Sequence, residues 1–191
     1  MAERKGKILI ISAPSGSGKT TILKRVLAVT PEVVYSVSAT TRKPRNNEVH
    51  GRDYYFIGED EFVDGIKENK FIEWEKVYDY YYGTYKHVLF DVINSGKNVL
   101  LEIDVKGALN IKKQFPEAIS VFIIPPDIKS LEERLRNRRT ESESDLKKRL
   151  DLAVHELGEK DKFDYRIINV DLETAVKETH DLILKIINKE N

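Results

Sequence analysis

Cysteine is absent from the 191 residues. That excludes disulfides and thiolate metal sites and fits a reducing cytoplasm. Net charge is absent as well: 32 Lys and Arg balance 32 Asp and Glu. A chain held to nucleic acid by bulk charge is therefore not expected, although a local basic pocket remains open. No apolar run approaches the roughly 20 residues that a membrane helix needs, and no charged-then-apolar leader opens the chain. The expectation is a cytoplasmic protein without a membrane or nucleic-acid partner. The four histidines (His50, His87, His155 and His180) are scattered without metal-ligand spacing. Any metal is expected to come with a substrate. Internal repeats and low-complexity segments are also missing.

What is present suits one compact domain: 40% hydrophobic and 34% charged residues, in a chain long enough to bury a core without staples. Residues 7–12 predict a short buried strand, and 20–29 a helix with Ile22, Leu23, Val26 and Leu27 on one face, ended by Pro31. Residues 33–89 change texture, being rich in Tyr, Arg and Gly. They predict short strands, a helix near 59–69, and an inserted subdomain bounded at 37–89. A helix end at 90–96 precedes strand 97–104, helix 107–115 and strand 119–126. Residues 130–150 are strongly charged and predict helix–loop–helix. Strand 163–169 and an amphipathic helix over 173–189 close the chain, the latter with Ala175, Val176, Leu182, Ile183, Ile186 and Ile187 on one face. Buried strands alternating with helices imply an α/β fold: a mostly parallel sheet covered by helices on both sides.

Between the first strand and helix lies "SAPSGSGKTT", residues 12–21. Strand, glycine loop and helix are the context of a phosphate loop, in which inward-facing backbone N–H groups and a helix N-terminus cradle phosphates. Ala13, Pro14, Ser15, Gly16, Ser17, Gly18, Lys19, Thr20 and Thr21 form the expected ATP cradle. Lys19 is aimed at the β- and γ-phosphates, and Thr20 at Mg²⁺. The usual pattern begins with glycine. Ala13 is acceptable there if its φ stays negative.

Arg42 and Arg45, three apart, then Tyr54 and Tyr82, supply two guanidinium forks and two phenols, enough to clamp a second, dianionic phosphate. Glu102 and Asp104 end a strand on the side where open α/β sheets bind ligands, and positions i and i+2 of a strand face the same way.

These stretches together ("SAPSGSGKTT", "SVSATTRKPR", "GRDYYF", "FIEWEKVYDYYYGT", "VLLEIDVKGA" and "RLRNRRTESESDLKKRL") resemble guanylate kinase, in order and spacing, nearly end to end. The resemblance implies a P-loop NTPase-type parallel sheet. Its core is expected at 1–36, 90–128 and 161–191, with a GMP-binding subdomain at 37–89 and a lid at 129–160. It implies transfer of the γ-phosphoryl of ATP to GMP or dGMP, with Mg²⁺ accompanying ATP, by a monomer or weak homodimer. Carried over by position, Arg42, Arg45, Tyr54 and Tyr82 hold the GMP phosphate, while Ser38, Glu73 and Thr84 read guanine. Asp104 and Glu102 divide between the GMP base or ribose and the Mg²⁺ water shell. Asp104 is placed with GMP and Glu102 with the metal, the sequence alone leaving that division open. Arg134, Arg138 and Arg149 match lid and hinge arginines that join Lys19 and Arg42 in catalysis, and Asn169 falls where the adenine edge is met. Arg136, Arg139 and Lys148 are expected to be solvated lid charges, and Tyr80 and Tyr81 subdomain packing. A carboxylate at Glu73 accepts both guanine N1–H and N2–H, and adenine would leave it unpaired, a mismatch able to reject an analogue by roughly 10⁴.

Three departures from the family pattern accompany the match. The lid reads Asn137-Arg138-Arg139 rather than Gly-Arg-Gly, Lys106 replaces a glutamine, and Asn169-Val170-Asp171 replaces Asn-Asp-Asp. The competing functions are a protein-binding scaffold module of the same fold, disfavoured by the intact Gly16, Gly18, Lys19 and Thr20, and a kinase for another nucleotide or nucleoside, disfavoured by the guanine set and the phosphate clamp.

Overall fold

The computed structural model describes residues 5–77, 79–136 and 143–189. Five parallel strands form the main sheet: β1 (Ile8–Ser12), β2 (Val33–Ser36), β7 (Asn98–Glu102), β8 (Ile119–Ile124) and β9 (Tyr165–Ile168), in the order β2-β7-β1-β8-β9. The unbroken aliphatic run of β1 is explained by burial on both faces. Leu9 and Ile11 enter a core with Ile22, Leu23 and Val26 of α1 (Lys19–Leu27) and with Ala175, Ile183 and Ile186 of α7 (Leu172–Asn188). Ile8 and Ile10 enter the opposite core with Leu89 and Ile93 of α3 (Lys86–Asn94) and with Val105, Ala108 and Ile111 of α4 (Val105–Gln114). The period of two along a strand sends alternate residues to the two helix layers. The α7 N-terminus is capped by Asp171, whose carboxylate accepts the Thr174 N–H at 2.9 Å.

A second sheet, ordered β4-β3-β6-β5, joins β3 (Ala39–Thr40), β4 (Tyr55–Phe56), β5 (Phe71–Val77) and β6 (Tyr80–Tyr85). Its small core is aromatic, with α2 (Glu59–Lys67) supplying Phe62. The Phe62 ring stacks on Phe71 at 4.3 Å and on Tyr81 at 5.3 Å. Gly83 permits this stack, since a Cβ there would stand 2.9 Å from the Phe62 ring. The two tyrosines assigned to packing separate. Tyr81 joins the stack, whereas Tyr80, one residue earlier and hence on the other face of β6, is 42% exposed and lines the central cleft.

Two helices follow β8: α5 (Ile128–Arg136) and α6 (Glu143–Leu157), sharing a core of Leu131, Leu135, Leu146 and Ala153. Val33–Ser36, close in texture to the tyrosine-rich stretch but left in the core by the subdomain bound at 37, is an edge strand of the main sheet. Two boundaries differ from the sequence expectation. The helix ending at Asn94 starts at Lys86, and α4 starts at Val105 because Asp104 caps it, accepting the Gly107 N–H at 2.6 Å. Such a cap stabilises a helix by about 1 kcal/mol. Among the described residues, no helix is long and apolar enough to cross a membrane.

Candidate active site

A cleft of about 770 Å³ lies between the carboxyl ends of β1 and β7, the second sheet and α6. Its floor is the loop from Ala13 to Gly18, leading into α1. Gly16 and Gly18 have φ of +92° and +90°, the left-handed region that an L side chain rarely enters. Space imposes the same choice at Gly18, where a Cβ would lie 2.6 Å from the Asn169 amide nitrogen. Gly18 also stands at the N-cap of α1 without a side-chain cap, so the first-turn N–H groups face the cleft available to an anion. Ala13 is 6% exposed and belongs to the main core, and it is not among the positive-φ residues. Its methyl group fills core space, which is why the loop does without a first glycine.

The first two residues of α1 reach the end of β7. The Lys19 ammonium donates to the Ile103 carbonyl at 2.8 Å. The Thr20 hydroxyl donates to Glu102 Oε1 at 2.6 Å, and the Tyr35 hydroxyl to Glu102 Oε2 at 3.1 Å. Thr20 and Glu102 thus present adjacent hard oxygens of the kind Mg²⁺ prefers. Asp104 also lines the cleft while its carboxylate caps α4.

Across the cleft stand Arg42, Arg45, Tyr54 and Tyr82. Arg42 is held by Glu48 through two 2.9 Å contacts, one from each terminal nitrogen. The Arg42 guanidinium lies 5.6 Å from the centre of the Tyr54 ring, which meets Tyr82 edge-on at 6.0 Å. Glu48 also accepts the Arg45 backbone N–H at 2.6 Å. Arg42 Nε is buried and unpartnered, a donor still open to an anion's oxygen.

Behind the clamp, register aligns three buried polar residues. Glu73 pairs with Thr84 across β5 and β6, and Ala39 pairs with Gly83, so continuing β3 by one residue sets Ser38 opposite Thr84. Ser38, Glu73 and Thr84 are 7%, 8% and 0% exposed. The Thr84 hydroxyl donates to Glu73 Oε1 at 2.6 Å. Burial, reinforced by the nearby Asp104 charge, pushes the Glu73 carboxyl up to about 7. Its other oxygen faces Gly107, where a Cβ would come within 2.8 Å. Gly107→Ala should therefore displace the carboxylate rather than unfold α4, since alanine is the better helix former by about 1 kcal/mol. The expected result is a GMP KM raised roughly tenfold, about one displaced hydrogen bond to a charged group, with a melting temperature that does not fall. Steady-state titration of GMP checks it.

The residues expected in a lid divide. Arg149 of α6 lines the cleft, and so does Lys148, which is exposed to solvent as expected. Arg136 is the solvated charge expected of it, paired with Glu132 and Glu143. Arg134 reaches the Asn169 carbonyl at 3.5 Å rather than the cleft. Arg138, Asn137 and Arg139 lie outside the described residues. Asn169 is 4% exposed and donates its amide to the Ser17 carbonyl at 2.8 Å, bracing the loop from below.

Sequence reasoning missed Glu48, the partner that orients Arg42, and Glu156. The latter lines the cleft from α6, seven residues and two helical turns beyond Arg149 and so on the same helix face. Burial pushes the Glu156 carboxyl up to about 7, with Asp104 adding to the shift and Lys19 and the Ser15 N–H opposing it. The i+7 spacing from Arg149 was the available signal.

A phosphate loop facing an arginine–tyrosine clamp, with a buried carboxylate behind, also has a counterpart among known proteins. The sequence profile described as Guanylate kinase matches residues 5–186. The guanylate kinase of Carboxydothermus hydrogenoformans is 47% identical over 174 residues, covering 91% of this chain and 85% of its own. That of Caldanaerobacter subterraneus is 43% identical, covering 95% and 88%. The crystal structure of guanylate kinase from Anaplasma phagocytophilum superposes with a TM-score of 0.82 at 30% identity, covering 99% of this chain and 90% of that one. Matches of this extent, over nearly the whole length, establish that the chain belongs to the guanylate kinase family.

Proposed function

We propose that this chain carries out its family's reaction, ATP-dependent phosphorylation of GMP, by in-line transfer from the donor loop to an acceptor held by the second sheet, and that dGMP serves as well. The observation that carries this reading is the opposition, across one cleft, of an open phosphate loop and the Arg42–Arg45–Tyr54–Tyr82 clamp. We take 37–89 as the acceptor subdomain and 129–160 as the lid.

Phosphoryl transfer needs alignment and charge neutralisation more than covalent help. In this reading the backbone N–H groups of residues 16–20 hold the ATP phosphates, and Lys19 follows the charge moving toward the β-phosphate. Arg42, oriented by Glu48, and Arg45, Tyr54 and Tyr82 hold the GMP phosphate. One of its oxygens attacks the γ-phosphorus, and the bond to the ADP oxygen breaks on the opposite side. No general base is required, because a phosphate oxygen is already deprotonated. Glu73 accepts guanine N1–H and N2–H. The Thr84 hydroxyl fixes the carboxylate's direction, and Ser38 faces O6. Arg149, with Arg138, neutralises charge as the lid excludes water, and Arg134 joins them by turning from the Asn169 carbonyl on closure. Asn169 acts on ATP through the loop it braces. Thr20 and Glu102 fit a Mg²⁺ ion brought by ATP, which when bound would neutralise the β- and γ-phosphate oxygens. Asp104 falls to the GMP side.

The test is product stoichiometry. ATP, Mg²⁺ and GMP should yield ADP and GDP in equal amounts. Leaving out GMP, or adding excess EDTA, should abolish ADP release. ADP formed without a phosphorylated acceptor would make the protein a hydrolase instead. No turnover beside peptide binding at the Arg42–Tyr54 pocket would favour the scaffold module.

A further inference from the structure

The donor and acceptor phosphates would sit on different parts of the fold, so whatever joins those parts sets the in-line geometry. Two polar side-chain contacts tie β5, which carries Glu73, to α4: Lys106 to Glu75 at 2.6 Å, and Gln114 to the Ile72 carbonyl at 3.1 Å. They secure the base-reading part of the acceptor sheet. The phosphate-clamp part is met from elsewhere. The Lys24 ammonium, on the helix that begins with Lys19 and Thr20, donates to Asp53 Oδ1 at 2.9 Å. Asp53 directly precedes Tyr54, whose ring stacks beneath Arg42.

The two Asp53 oxygens divide their work. Oδ2 is taken up within its own turn, accepting the Val49 N–H at 2.9 Å and Arg52 at 3.0 Å from Nε and 2.8 Å from Nη2. The turn is closed further by the Gly51 N–H on the Tyr54 carbonyl at 2.9 Å. The Asp53 carboxylate is thus rigidly mounted, with a side chain only 8% exposed, and Oδ1 is left to reach across to α1. The Val49 N–H, Lys24 and Arg52 together hold the Asp53 carboxyl down to about 2, so it is charged at any working pH.

We infer that the Lys24–Asp53 ion pair is a positioning contact that registers the acceptor-phosphate clamp on the donor-loop helix. Neither residue lines the cleft, and neither touches substrate in the proposed mechanism. Their effect is on the distance and angle between the two phosphates, to which transfer is steeply sensitive: a misplacement of 1 Å can cost about 10² in rate. The inference rests on the ATP-to-GMP reading above.

Lys24 is 65% exposed, so its replacement leaves the core intact. The experiment compares Lys24→Ala, Lys24→Arg, Asp53→Asn and the Lys24→Ala/Asp53→Asn double variant. It measures kcat, the affinity for ATP and for GMP each alone, and the melting temperature. An ion pair whose lysine is exposed supports a kcat loss of roughly two- to fivefold in Lys24→Ala, with both affinities within about twofold of wild type and no change in melting temperature. Lys24→Arg should recover most of the rate. Lys24→Ala should cost little once Asp53 is already Asn, because the contact is broken only once. Wild-type kcat in Lys24→Ala, a loss confined to affinity or melting temperature, or independent multiplication of the two single effects would each overturn the positioning role. An active wild type with such results overturns this inference alone. A wild type that forms no GDP overturns the activity reading, and this inference with it.

Discussion

Lys19→Ala will lower kcat by about 10³ while leaving the affinity for GMP within a few-fold of wild type. The magnitude is that of removing one preorganised donor from a developing oxyanion. The asymmetry follows from the two-sided cleft. Lys19 stands at the start of α1 with its ammonium anchored on the Ile103 carbonyl at 2.8 Å, on the donor side. The proposed acceptor clamp, Arg42, Arg45, Tyr54 and Tyr82, stands on the other. The anchor matters because it holds the ammonium in place before substrate arrives, so little reorganisation remains for the transition state. Single-turnover rates with saturating ATP, alongside GMP titration calorimetry, separate the two quantities. A variant that loses GMP binding as strongly as turnover would place Lys19 on the acceptor.

The second large effect belongs to Glu73. Glu73→Gln should reduce kcat/KM for GMP by about 10² or more and erase most of the discrimination against AMP, because the amide can accept one of the two guanine donors but must turn its own donor toward the other. The fold should survive, since Thr84 can still donate to the amide oxygen. The same residue gives the site a pH dependence. With its carboxyl pushed up to about 7, Glu73 in the free protein is mostly protonated below that pH and mostly ionised above it. Guanine requires the ionised form, so GMP binding opposes the upward shift and releases a proton below about pH 7. GMP affinity should therefore weaken by about tenfold from pH 8 to pH 6. The substrate's own phosphate also titrates near 6. Glu73→Gln, which removes only the carboxyl's share of the slope, tells the two apart. An identical pH profile in the variant would remove Glu73 from the account.

How much of this was legible before the fold was known depends on distance along the chain. The phosphate loop is contiguous, and its strand, glycines, lysine and helix follow one another, so residues 12–21 carried their meaning unaided. Even Ala13 could be judged by one backbone angle. The guanine row was different. Ser38, Thr84 and Glu73 come together only because β3, β6 and β5 pair in a particular register, which no local pattern specifies. Family resemblance supplied those residues where periodicity did not. Glu48 and Glu156 lie in no quoted motif, and Asp53 lies within "GRDYYF" without a role of its own there; each acquires significance only through a partner: Arg42 for Glu48, the loop floor for Glu156 and Lys24 for Asp53. Tyr80 and Lys148 were set aside because a tyrosine run and a lysine run look uniform in sequence. Strand alternation then places Tyr80 and Tyr81 on opposite faces of β6, whereas Lys147 and Lys148 are both exposed and only Lys148 also borders the cleft.

The central claim is that the loop defines only the donor, while the buried row behind the clamp defines the acceptor as guanine. The measurement that tests it most directly is the ratio of kcat/KM for GMP to that for AMP in the wild-type enzyme, read from ADP release at fixed ATP and Mg²⁺. The account predicts a ratio of about 10⁴, the scale set by leaving a buried carboxylate unpaired. A ratio near one would contradict it.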